Sequence, residues 1–355
     1  MQNNAVSLCP GVETAVPKRI LIIGAGAIGS LYAAHLARVA EVWVLVRRKE
    51  HARAINQRGI RVTGHAEFHA HLQATTDARK LPDFDFGIVA TKANQTREAF
   101  APAAHLFARG AVLSAQNGLG SEEILAELMP SGHVIRGTTF MSGTRFADDH
   151  VHYELDTATW MGPFEPTNTP FAVVEELAAL LNRAGLKAEA LRDARPAQWS
   201  KLIFNASVNA VAALTELPHS PHFAAENEFS DLGHLLHALL EEGKTVAAAL
   251  GTELHEDPWA MNCIGARTNH PPSMLYDIRH HLPTEVDFLG GAIARAAQRA
   301  GVPAPLHTAL YRLIKAKEAS WSWKNENRLE AVTDAVPDRS LETGPRPRAD
   351  ATRQS

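Results

Sequence analysis

The sequence predicts an α/β protein in which a mostly parallel sheet covered by helices comes first and an all-helical domain follows. Three observations carry that prediction. A glycine triplet spaced G-x-G-x-x-G stands between two short apolar runs near the start of the 355-residue chain. Apolar runs then alternate with helical segments up to about residue 190, the pattern of a sheet built from strand–helix units. Near Leu191 to Pro196 the strand-like runs stop, and Ala- and Leu-rich helical segments continue to about Lys324. A chain of this length is expected to hold two domains. The boundaries fall at 1–17 for a loose leader, 18–191 for a dinucleotide-binding domain, 192–324 for a helical domain and 325–355 for a polar, disordered tail.

The first strand is the β-branched run Ile20 to Ile23, which reads as a buried parallel strand. Gly24, Gly26 and Gly29 follow it, Ser30 to Val39 continue as a helix, and Glu41 to Val46 form a second strand. The order has a physical reason. Gly24 permits a tight turn, Gly26 lets the backbone approach a pyrophosphate, and Gly29 lets helix and strand pack closely. The pyrophosphate then sits on the helix N-terminus, beside Ala27 and Ile28, where free N–H groups favour an anion. Strand, glycine turn, helix and strand together make this a Rossmann-type site. At the end of the second strand an NAD site usually carries an acid for the ribose 2′-hydroxyl, whereas NADP sites carry arginine. This chain has Arg47 and Arg48 there, so the cofactor predicted is NADPH/NADP+.

Phe86 to Ala90 and Ala111 to Ala115 are the next two strands, and they end in Thr91-Lys92 and Gln116-Asn117-Gly118. Ligands of open α/β sheets bind outside the carboxyl ends of the strands, which puts both polar ends near the cofactor. Val134 to Phe140, Val151 to Leu155 and Thr159 to Gly162 are further strands, and Phe171 to Ala184 is a helix stopped by Gly185. The helical domain reads as Gln198–Leu214, Asp231–Leu250, Ser273–His280, Glu285–Ala300 and His307–Ser320, with Gly251 and Gly301 as stops. Composition excludes several classes: 45% hydrophobic and 21% charged residues with a net charge of −4 describe a soluble protein without a nucleic-acid surface. No apolar run approaches a membrane span, and the start of the chain lacks the pattern of a secretory signal. Cys9 and Cys263 make no disulfide framework, which fits the cytoplasm. The 18 histidines are scattered; His150 and His152 share one side of a strand without a third ligand, so no metal is expected.

A second constellation lies in Trp199-Ser-Lys201-x-x-x-Asn205-x-x-x-Asn209. The spacing i, i+4, i+8 lines an ammonium and two carboxamides along one side of a helix whose other positions are apolar. Buried polar groups need partners, either a structural network or a substrate facing the cofactor cleft. A lysine there would have its pKa lowered by desolvation and could donate a proton. Ser273 follows two prolines and could cap a helix, and Thr284 and Asp287 have capping-box spacing around Glu285.

The blocks GAGAIG, TKANQT, QNG, WSKLIFNASVN and PPSMLYDI…TEVDFLGG, in that order over roughly Arg19 to Glu318, resemble the ketopantoate reductase (2-dehydropantoate 2-reductase) family. The resemblance implies a 6-phosphogluconate-dehydrogenase-like architecture and NADPH-dependent reduction of ketopantoate to (R)-pantoate, on the way to pantothenate and coenzyme A. It implies that Lys201 is the catalytic lysine and Glu285 the active-site acid. Asn117, Asn205, Asn209 and Ser273 match substrate positions; Lys92, Gln95 and Asn117 lie near the cofactor, and Arg47 contacts its 2′-phosphate. Two departures stand out: His270 replaces a common asparagine three residues before the serine, and Tyr153 to Asp156 replace a usual glycine pattern. The first keeps open a reductase of another branched 2-keto acid. A non-catalytic NADP(H)-sensing protein is a third reading, which the joint presence of Lys201, Asn205, Ser273 and Glu285 disfavours. The helical domain could support either a monomer or a homodimer.

Overall fold

A computed structural model describes residues 17–224, 231–268 and 271–326. Residues 1–16 of the expected leader, the tail from 327, Cys9, Asn269 and His270 lie outside the described residues. The strands are β1 Arg19–Ile23, β2 Glu41–Leu45, β3 Ile60–Gly64, β4 Phe68–Ala70, β5 Gln73–Thr75, β6 Phe86–Val89, β7 Ala111–Ser114, β8 Val134–Thr139, β9 Ser142–Ala147, β10 His150–Leu155, β11 Thr159–Pro163 and β12 Ala188–Ala190. The helices of the first half are α1 Ala27–Leu36, α2 Lys49–Arg58, α3 Thr96–Phe100, α4 Ser121–Leu128 and α5 Phe171–Arg183. Those of the second half are α6 Arg195–Thr215, α7 Asp231–Ala249, α8 Pro258–Gly265, α9 Ser273–Arg279, α10 Gly290–Ala300 and α11 Pro305–Glu326.

Eight strands form one sheet in the order β12-β11-β8-β7-β6-β1-β2-β5, parallel throughout except for the β8–β11 pair. From β1 the chain runs outwards to β2 and β5 on one side and then to β6, β7 and β8 on the other. The switch in direction opens a crevice at the carboxyl ends of β1 and β6. Register sets the level of that crevice: Ile23 is paired with Leu45 and with Val89, so the residues after all three strands emerge together. Alternation along the strands separates two cores. Ile20, Ile22, Val44 and Ile88 pack towards α1, whereas Leu21, Ile23, Val89 and Val112 pack on the opposite face with Phe100 and Phe107. A second sheet, β4-β3-β10-β9, covers the outer side of α1.

The second half is organised around α6, which is buried along most of its length and packs on α7, α9, α10 and α11. Gly243 of α7 admits this closeness, since a Cβ there would stand 2.7 Å from the Ile203 side chain. The fold class read from the sequence is the one observed, with differences at particular elements. The short strands β3, β4, β5 and β9 and the helices α2, α3, α4 and α8 carry no pattern strong enough to have been read. The helix expected from Glu285 starts at Gly290. The Phe288 carbonyl turns away to accept Leu119 N–H, and Leu289, at φ −106° and ψ −101°, is not helical. No capping box forms either: Asp287 binds Tyr311 and Lys315 instead. Ser273 is the first helical residue of α9, with Pro272 at the cap and no side-chain capping bond. The last helix passes Ser320 to reach Glu326, and Trp321 stacks on His281 at 5.1 Å between ring centres.

Candidate active site

The glycine turn is close-packed at Gly24 and Gly29 and open at Gly26. Gly24 has φ +91°, and a Cβ there would meet the Thr91 side chain at 2.6 Å. A Cβ on Gly29 would stand 2.0 Å from the Gly24 carbonyl oxygen. Around Gly26 nothing lies within 4 Å of a built Cβ. Gly26 caps α1 without a side-chain bond, and Ala27 and Ile28 are its first residues, whose N–H groups have no partner within the helix. These residues fit a pyrophosphate on the helix N-terminus. Arg47, two residues past β2, is exposed, and its side chain makes no polar contact among the described residues.

The loops after β6 and β7 form the cleft edge. Gln116 donates its amide to the Thr91 carbonyl (3.1 Å) and to Thr96 Oγ1 (2.8 Å), joining the two strand ends. Gly118, with φ +92°, lies against the Phe288 carbonyl, and Leu119 N–H donates to that oxygen at 3.0 Å. Three more contacts lash the loop after β6 to α9 and the turn that follows it. Lys92 Nζ donates to Asp277 Oδ1 at 2.5 Å, Ala93 N–H to Glu285 Oε1 at 2.8 Å, and Asn94 Nδ2 to the Thr284 carbonyl at 3.3 Å. The two halves of the chain therefore meet along this edge.

Lys201 projects from α6 into the junction. Its ammonium donates to the Thr139 carbonyl at the end of β8 and lies 5.3 Å from the centre of the Phe140 ring. Burial pushes its pKa down to about 8, against the pull of the Glu285 carboxylate. Glu285 is buried, and burial raises its pKa, while Ala93 N–H, Lys92 and Lys201 oppose the rise. Lys201, Lys92 and Glu285 are thus brought into one electrostatic group. Asn205 and Asn117 are half-buried and Asn209 is buried, and none of the three makes a side-chain hydrogen bond among the described residues. Unpaired carboxamides are suited to a polar ligand. Ser273 is exposed at the start of α9, which packs on α6, and Gln95 sits half-buried in a single 3₁₀ turn. Neither Ser273 nor Gln95 is hydrogen-bonded to Lys201, whose ammonium is held by Thr139.

Sequence reasoning missed Asp277, although it stands four residues after Ser273 in a block that drew attention. It also missed the pair beneath Lys201. Gln198, one helical turn earlier, donates through Nε2 to Glu122 Oε1 at 2.6 Å and to the Gly118 carbonyl at 3.1 Å. Glu122 is buried in the first turn of α4, and burial pushes its pKa up to about 7. Spacing gave no signal for that pair, because its partners are 76 residues apart.

Comparison with known proteins follows the same division. Residues 20–166 match the family described as "Ketopantoate reductase PanE/ApbA", and residues 193–318 match its C-terminal counterpart. The 2-dehydropantoate 2-reductase of Pyrococcus abyssi is 31% identical over 305 residues, covering 85% of this chain and 98% of that protein. Among solved structures, a PanE/ApbA family ketopantoate reductase from Ralstonia eutropha superposes with a TM-score of 0.75 at 25% identity, covering 86% of this chain and 99% of that one. A D-mandelate dehydrogenase in complex with NADH and anilino(oxo)acetate shares the fold, with a TM-score of 0.77 at 24% identity and coverage of 86% and 99%.

Proposed function

The chain belongs to the ketopantoate reductase family, and from that premise we propose that it reduces ketopantoate to (R)-pantoate with NADPH in the cytoplasm, as a step of pantothenate and coenzyme A biosynthesis. In this reading residues 18–191 bind the cofactor and residues 192–324 carry the catalytic lysine. The observation that carries the proposal is the Lys201 ammonium, half-buried and bonded to the Thr139 carbonyl where the two halves meet, with its pKa lowered to about 8. Gly24, Gly26, Ala27, Ile28 and Gly29 would hold the pyrophosphate, Arg47 the 2′-phosphate, and Lys92, Gln95 and Asn117 the nicotinamide end. NADPH, when bound, supplies a hydride to C2 of the keto acid.

The chain's own residues manage the charge that results. Negative charge grows on the carbonyl oxygen, and Lys201 neutralises it and donates the proton. To do so the ammonium exchanges the Thr139 carbonyl for the substrate oxygen. Asn117 and Asn205 would orient the carbonyl, Asn209 and Ser273 would bind the carboxylate end, and Glu285 would accept a hydrogen bond from the distal hydroxyl with the oxygen that Ala93 leaves free. A second reading, a reductase of another branched 2-keto acid, draws support from the ring cluster beside Lys201. Phe140 lies 6.1 Å from Phe204 and 6.3 Å from Trp160, a wall suited to an apolar substituent.

The test is the loss of NADPH absorbance with ketopantoate, 2-ketoisovalerate and 2-ketoisocaproate. A site that hydrogen-bonds the distal hydroxyl should prefer ketopantoate by about 10⁴ in kcat/KM. Equal or faster turnover of the hydroxyl-free acids moves the assignment to the second reading. NADPH binding without turnover of any 2-keto acid would leave a sensor.

A further inference from the structure

The two arginines that end β2 are not equivalent. Arg47 is exposed and free of polar contacts among the described residues. Arg48, the N-cap of α2, donates from Nη2 to Oδ1 of Asp148, in the two-residue turn between β9 and β10. The same carboxylate oxygen accepts Arg145 Nη1 at 2.8 Å and stands 3.9 Å from His51 Nδ1. The neighbouring Asp149 holds Arg58 at the far end of α2. The small second sheet therefore grips α2 at both ends and determines which cation beside β2 is available.

The end of β2 is where the 2′ substituent of the adenosine ribose is read, a carboxylate favouring the hydroxyl and a guanidinium the phosphate. Here both residue types converge on one place from different parts of the chain. Asp148 would disfavour a 2′-phosphate in two ways. It occupies donors of Arg48 that would otherwise pair with phosphate oxygens, and it sets a negative charge against Arg48, the neighbour of Arg47. Neither effect touches a cofactor with a neutral 2′-hydroxyl.

We propose that Asp148 is a cofactor-selectivity residue: by holding Arg48 it keeps the preference for a 2′-phosphate modest, so that the protein accepts NADH beside NADPH. The proposal rests on the reading of Arg47 as the phosphate contact. The test is fluorescence titration of the full-length protein with NADPH, NADH and 2′,5′-ADP, which carries the phosphate without a nicotinamide. Asp148→Asn should tighten NADPH and 2′,5′-ADP by about tenfold and leave NADH within about twofold, with a gain that shrinks in high salt. Arg48→Ala alone should change little, and the Asp148→Asn/Arg48→Ala double variant should lose the gain. Thermal unfolding checks that each variant folds, and Asp148→Ser replaces the asparagine variant if that one does not. Unchanged or weaker NADPH binding in the folded Asp148 variants overturns the proposal, as does a gain that survives in the double variant, which would belong to Arg145. If Arg47→Ala leaves the NADPH/NADH ratio unchanged, the reading of the phosphate site itself falls, a result separable from failure at Asp148.

Discussion

The two walls of the cleft are built from different material. The wall from the parallel sheet is largely backbone: a left-handed glycine, a helix N-terminus with bare N–H groups, and strand ends held level by register. The wall from the helical half is side chain: Lys201, Asn205 and Asn209 on α6, and Glu285 on a turn that reaches across to Ala93. A backbone wall has little to titrate, and at Gly24 and Gly29 it has no room for an added atom. A side-chain wall tolerates conservative change in shape, but its function depends on charge state.

The sharpest way to break that contrast is to remove the ammonium. Lys201→Ala should lower kcat by about 10³ while the NADPH dissociation constant stays within about twofold, as expected of a lost general acid. A parallel loss of cofactor affinity would show that the walls are not separable. The pH dependence has a defined sign. Lys201 donates only when protonated, and with its pKa pushed down to about 8 kcat should fall as pH rises through that value. A profile flat to well above pH 8 would remove Lys201 as the donor.

The backbone wall breaks by addition. Gly29→Ala would drive a Cβ to 2.0 Å from the Gly24 carbonyl oxygen, which neither backbone can yield. A cost of at least about 3 kcal/mol in unfolding free energy is expected, with loss of cofactor binding. Gly26→Ala is the sharper control, because its Cβ meets nothing. The fold should keep its melting temperature while NADPH binding weakens, since the methyl would stand in the space proposed for the pyrophosphate. Calorimetry and titration on the same samples separate the two outcomes.

The junction between the walls has its own titratable group. Glu122, held by Gln198 beneath Lys201, has its pKa raised to about 7, so the folded protein favours its protonated form. That contribution is complete below the ordinary carboxylate range and is lost as pH rises through about 7. Between about pH 5 and pH 8 the native protein should lose up to about 3 kcal/mol relative to Glu122→Gln. Parallel denaturant curves for the two proteins across that range would refute the assignment.

The same contrast explains what could be read from the sequence. A backbone wall is local: Gly24, Gly26 and Gly29 fall within six residues between two apolar runs, so spacing alone fixes turn, approach and packing. The α6 stripe was legible for the same reason, as three polar residues at helical period in an apolar segment. Partnerships across the chain were not. Lys92 meets Asp277, Ala93 meets Glu285, and Glu122 meets Gln198 because the halves dock, and no local pattern encodes docking. Glu285 shows the limit most clearly. It stands at the start of an expected helix, but that helix begins only at Gly290, and the carboxylate accepts Ala93 N–H from the first half of the chain.

Arg47 is the exception that sharpens the comparison, a side chain on the backbone wall. It lies two residues past β2, exposed, and no acidic residue follows it until Glu50. Its expected effect is the smallest, because an exposed guanidinium would meet the proposed phosphate in water, where salt screens the pair. Arg47→Ala should weaken NADPH about tenfold and leave NADH unchanged, the size of one charge-assisted hydrogen bond removed at the surface. The backbone wall would then bind both cofactors equally, because the glycine turn sees only the pyrophosphate that they share. An equal loss for NADH would mean that Arg47 supports the turn rather than reading the ribose, and the division between a binding backbone and a discriminating side chain would fail at the one place where both occupy the same wall.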